Sequence, residues 1–64
     1  MPKFQIVTTD GDSYVDGESR RFEVFETTET LEGFDHEGDY VVLRYSGGID
    51  DAIPEARIAH IVTA

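Results

Sequence analysis

Sixty-four residues bound this chain to one small domain, and fourteen acids against five bases leave a net charge of −9 at pH 7. The absence of cysteine excludes disulfides and thiolate metal sites. Lys3 and four Arg, of which only Arg20 and Arg21 adjoin, cannot form the clustered basic face that nucleic acid or an anionic membrane requires.

An apolar share of 39% is high enough for a folded domain, although chains this size bury only about 60% of the surface they expose when unfolded. Acidity with a single Lys suits proteins kept soluble at high internal salt, where screening removes self-repulsion. An acidic docking face is the alternative. The opening "MPKFQIVTTDGD" matches neither a secretory signal nor a membrane span of about 20 apolar residues, so a soluble, cytoplasmic protein is expected.

The apolar pattern along the chain has a period of two, which predicts strands. "KFQIVTT" sets Phe4 and Ile6 against Val7 and ends at the turn signal "DGDS". "SYV" begins a return strand, and "DGES" supplies a second turn or bulge. "RRFEVFETT" reads as one strand whose phase slips near Val24 and Phe25, where a bulge would reconcile the two faces. "TETLEGF" is ambiguous: three Thr favour strand, and no capping box opens a helix. "DHEGD" reads as a turn.

"YVVLRY" is the strongest strand, apolar on both faces as a covered central strand should be. "SGG" closes it with a turn that needs positive φ. Pro54 in "IDDAIPEA" can open a short 3-10 turn, and "RIAHIV" is the last strand. The fold class is therefore mainly β, a five-stranded, strongly bent antiparallel sheet or barrel with one 3-10 turn before the last strand. A small α+β fold of the β-grasp kind, with a helix near residues 28–36, is the alternative.

This layout resembles SH3-like barrels, including the Sm-like ones. "LEGFDHEGDYVVL" echoes an Sm motif through Phe34 and Asp35 ahead of Tyr40 to Leu43. The loop lacks the Asn of that motif, Glu55 to Arg57 replaces its basic Arg-Gly pair, and the preceding hairpin is too long. RNA binding therefore does not carry over to this chain.

Candidate sites are sparse. Asp10, Asp12 and Asp16 are closely spaced oxygen ligands, but a Ca²⁺ loop begun at Asp10 meets Tyr14 and Arg21 where it needs ligands. Hairpin turns are the expected role. Asp35, His36, Glu37 and Asp39 combine a His with carboxylates, and His60 lies in an apolar strand; a surface turn and a half-buried His are the plainer readings. Ser13, Ser19 and Ser46 lie in turn-like segments outside any nucleophile elbow, so no enzyme, cofactor or metal is expected.

The densest feature is Phe22 to Asp39, whose acids Glu23, Glu26, Glu29, Glu32, Asp35, Glu37 and Asp39 make a possible interaction face, with Phe22, Val24, Phe25, Leu31 and Phe34 as core. The expected function is a non-catalytic β module that contacts another protein, its edge strands being free to pair. Two alternatives remain: an acidic nucleic-acid mimic that inhibits a basic protein, and a metal- or ligand-responsive mini-domain using His36 or His60. A monomer, closed by pairing of the last strand with the first, is favoured slightly over a homodimer joined through the last strand, because −9 per chain opposes dimer formation at low salt.

Overall fold

The computed structural model describes residues 2–64. Its strands are β1 (Phe4–Thr8), β2 (Ser13–Val15), β3 (Ser19–Phe22), β4 (Thr27–Glu37), β5 (Tyr40–Tyr45), β6 (Asp50–Pro54) and β7 (Ile58–Thr63), with 3-10 turns at Ser46–Gly48 and Glu55–Arg57. They form two curled antiparallel sheets, ordered β2-β1-β7 and β3-β4-β5-β6, which include a half-barrel. The mainly β, strongly bent architecture and the 3-10 turn before the last strand are as expected from the sequence.

Each strand forms for a local reason. In β1 the alternation buries Phe4, Ile6 and Thr8 and turns Gln5 and Val7 away. The chain then reverses through Asp10 to Asp12, where Thr8 Oγ1 accepts the Asp12 N–H at 3.1 Å. At Gly17, with φ of 89°, the chain leaves the first sheet for the second. Gly17 N–H donates to the Leu31 carbonyl at 2.9 Å and Leu31 N–H donates to the Glu18 carbonyl at 2.9 Å, so this corner ties both sheets together.

Two readings of the sequence are corrected, and the helical alternative at residues 28–36 is set aside. Residues 28–36 are strand throughout, inside the 11-residue β4, because Thr27, Thr28 and Thr30 suit a pleated surface. "DHEGD" is not all turn: Asp35, His36 and Glu37 complete β4, and Gly38 and Asp39 alone make the reversal. "RRFEVFETT" is two strands, with the chain turning at residues 23–26, so Val24 (89% exposed) and Phe25 (64%) lie outside the core. The bulge in β4 falls instead between Leu31 and Gly33.

The strand count rises from five to seven through that split and through β6. Two Asp and Pro54 hide β6 in the sequence, but an edge strand tolerates Pro because one side of its backbone needs no partner.

The core is Phe4, Ile6, Leu31, Val41, Leu43, Tyr45 and Ile53, with Phe22 and Phe34 partly buried against it. Two edge-to-face ring pairs have centroids 4.8 Å apart: Phe4–Phe34 joins the sheets across the interior, and Phe22–Tyr45 packs β3 against β5 within the four-stranded sheet. β5 lies between β4 and β6, the central place its sequence suggested, and sends Val41, Leu43 and Tyr45 inward. The expected covering of both faces is corrected: among the described residues no second layer lies on its other face. Val42 is buried there between Asp35 and Ala52, whereas Tyr40 is 49% exposed.

Candidate functional site

The seven acids from Glu23 to Asp39 do not form one face. Asp35 and Glu37, two positions apart on β4, point to the same side of the sheet, where Arg44 of β5 receives both. Its guanidinium contacts Asp35 at 2.5 Å, Glu37 at 2.7 Å and Asp50 of β6 at 3.1 Å. The hydrogen bond to Asp35, with the three negative charges, raises the pKa of the guanidinium further above its ordinary value. All four groups are about half exposed, so water screens them and the cluster mainly fixes side-chain positions.

Glu29 plays a structural part. Its carboxylate accepts hydroxyl bonds from Thr27 and Ser46, both at 2.7 Å, and Ser46 Oγ in turn accepts the Thr30 N–H at 2.9 Å. Those hydroxyls, Ser46 first, hold the Glu29 carboxyl below its ordinary pKa. The carboxylate lies so close to the 3-10 turn that a Cβ on Gly47 would stand 2.7 Å from Glu29 Oε2. Glu23 lies 3.8 Å from Arg21; Glu23, Glu26 and Glu32 are exposed, and Asp39 turns the chain into β5.

Neither proposed ligand group converges. Asp10 is held by the Thr8 hydroxyl and by Arg57 at 3.1 Å, the Thr8 bond being the larger cause of its lowered pKa, while Asp16 accepts the Lys3 N–H at 3.2 Å. In β4 the pleat separates His36 from Asp35 and Glu37; its ring lies 6.0 Å from Phe34, edge to face. Among the described residues no three His, Asp or Glu side chains group as a metal site would require. His60 is exposed rather than half-buried, because β7 is the edge of its sheet and His60, opposite Val7, faces outward.

Two surfaces stand out instead. The first is the β3–β4 hairpin tip, Glu23 to Glu26, which carries the most exposed large apolar residue, Val24, beside Phe25. The Phe25 N–H donates to the Phe22 carbonyl and the Glu26 N–H to the Glu23 carbonyl, each at 3.2 Å, and Glu26 takes a left-handed φ of 52°. That backbone conformation costs a non-glycine residue about 1 kcal/mol. Beside the tip lies an open cleft of about 330 Å³ between Arg20 to Phe25 and Ile49 to Asp51. Reading the sequence as one strand hid this tip. The signal for it was the phase slip itself, an apolar pair bracketed by Glu in "EVFE".

The second is the outer face of the β2-β1-β7 sheet. Its register aligns Val15, Gln5 and Val62 in one row and Ser13, Val7 and His60 in the next. Neither row contains a carboxylate, in a chain with fourteen.

Compared with known proteins, the chain matches no family model, no curated protein and no solved structure at a significant level. No helix among the described residues is long and apolar enough to cross a membrane.

Proposed function

We propose that this chain is a non-catalytic, cytoplasmic interaction module that docks on another protein through the Val24–Phe25 hairpin tip. One observation carries the reading: a large apolar pair is held in water on a turn whose backbone is pinned and, at Glu26, strained. Folding gains nothing from that exposure, since neither residue contributes to the core. A rigid aromatic anchor does lower the ordering cost of binding, and such anchors dominate interface energies. Glu23 and Glu26 bracket the pair, so the complementary partner surface is an apolar pocket rimmed by Lys or Arg. Dispersal of the other acids, and the engagement of Asp35 and Glu37 by Arg44, give a nucleic-acid mimic no geometric support.

The test is affinity capture from the native cell extract in dilute buffer and in molar KCl, with wild type and the Val24→Ser/Phe25→Ser variant, after thermal melts show both folded. Proteins retained by wild type in molar KCl and lost by the variant support the apolar anchor. Capture that the variant keeps, or that vanishes in molar KCl for wild type, overturns it in favour of charge-driven binding.

A further inference from the structure

We infer that β7 is a self-recognition edge, through which two copies of this chain join their three-stranded sheets about a two-fold axis at Val62. The last strand does pair with the first, as a closed barrel would require, but closure does not follow: β7 has β1 on one side and no strand on the other among the described residues. The two arrangements that the sequence set against each other, internal pairing and dimer formation, are therefore compatible.

The ladder shows what the free side offers. Ala64 N–H donates to the Lys3 carbonyl at 2.9 Å, and Gln5 lies opposite Val62 and Val7 opposite His60 in the same register. Hydrogen-bonded and non-bonded pairs alternate in an antiparallel ladder, so His60, Val62 and Ala64 direct their main-chain groups to β1. Ile61 and Thr63 direct theirs away from it, to the open edge. Placing Val62 opposite its own copy sets Ile61 against Thr63 of the second copy, and the reverse, which satisfies all of those main-chain groups symmetrically. Moving the axis to Ile61 would set Thr63 against Ala59, where the β1–β7 register shifts, so the regular half of the strand selects Val62.

No side chain on the regular part of this edge blocks the pairing. Natural edge strands carry charge, Pro or bulges that block addition of another strand. From Ile58 to Ala64 there is no carboxylate side chain, Lys, Arg or Pro, and the irregularity of β7 is confined to its start. Val62 is 52% exposed and would cover its symmetry mate, extending the rows Val15-Gln5-Val62 into one six-stranded sheet. The carboxylate-free outer face keeps the acids of each copy away from the junction. The remaining opposition is the general repulsion of −9 per chain, which salt screens.

Sedimentation equilibrium in dilute buffer and in molar KCl tests this on the intact chain, together with amide hydrogen exchange. The expected result is a dimer whose dissociation constant falls by about tenfold or more as salt rises. Ile61 and Thr63 amides become protected as the dimer forms, whereas Val62 is protected in both states. Thr63→Pro removes an N–H that faces the open edge, and Val62→Lys places charge on the axis; each is expected to give a folded monomer at both salts. A wild-type monomer at both salts and at millimolar protein overturns the inference. A dimer that leaves Ile61 and Thr63 exchanging rapidly also overturns it, independently of how the variants fold.

Discussion

Phe25 and Leu43 are both large apolar residues in strand-like sequence, yet their environments are opposite. Leu43 is fully buried at the centre of β5, and Leu43→Ala is expected to cost about 2–4 kcal/mol, read as a lower denaturation midpoint. Phe25→Ser removes nothing from the core and should change stability by no more than about 0.5 kcal/mol. Equal losses in the two variants would show that the tip packs rather than projects. At Glu26 the left-handed φ favours glycine, so Glu26→Gly is expected to stabilise by up to about 1 kcal/mol, the relief of strain being partly offset by greater unfolded-state freedom. Alternation of side chains can be read directly from sequence, and it set Phe4 and Ile6 on one face against Val7; β5, apolar at every position from Tyr40 to Leu43, gave no alternation from which its inward face could be read. It could not distinguish a phase slip made by a bulge from one made by a chain reversal, because "EVFE" contains no Gly, Pro or Asn to mark a turn.

Among the elements, the 3-10 turn Ser46–Gly48 is fixed to β4 by the hydroxyl of Ser46 and the carboxylate of Glu29. Gly47 has φ of 74° and no room for a methyl group beside Glu29, so Gly47→Ala is expected to destabilise by about 1–2 kcal/mol, measured by chemical denaturation. The same junction has a defined pH signature. Because folding lowers the Glu29 pKa, its contribution is present above the ordinary carboxyl range, about pH 4.3, and is lost as pH falls through the depressed folded value. Thermal melts of wild type and Glu29→Gln should therefore converge on acidification; a constant gap would mean that the carboxylate is not the titrating group. The "SGG" turn and the 3-10 turn after Pro54 were legible because Gly admits positive φ at no steric cost and Pro fixes its own φ. β6 and the full length of β4 were not, since pairing with β5 on either side creates them against the local preference of Asp, Gly and Pro.

For the whole molecule, charge is the quantity the sequence states most directly and the fold redistributes least. Nine net negative charges on one small domain repel each other, and the Debye length falls from about 10 Å at 0.1 M salt to about 3 Å at 1 M. The melting temperature is expected to rise by several degrees from dilute buffer to molar KCl, and a flat dependence would show the acids to be balanced by local pairing. The order of the strands has a kinetic consequence as well. β3, β4, β5 and β6 are consecutive hairpins whose partners meet after short loop closures, whereas β1 meets β7 only when Phe4 reaches Thr63 across almost the whole chain. Long closures are entropically expensive and slow, so the meander is expected to organise the folding transition state and the β1–β7 junction to form after it. Leu43→Ala should then slow refolding, while Ile61→Ala should chiefly accelerate unfolding. The strand that offers its edge to a second copy is thus the last to arrive, and until it does, β1 is itself an open template. Two chains that meet at this stage can exchange their final strands, so refolding at high protein concentration is expected to trap swapped pairs that dilute refolding avoids.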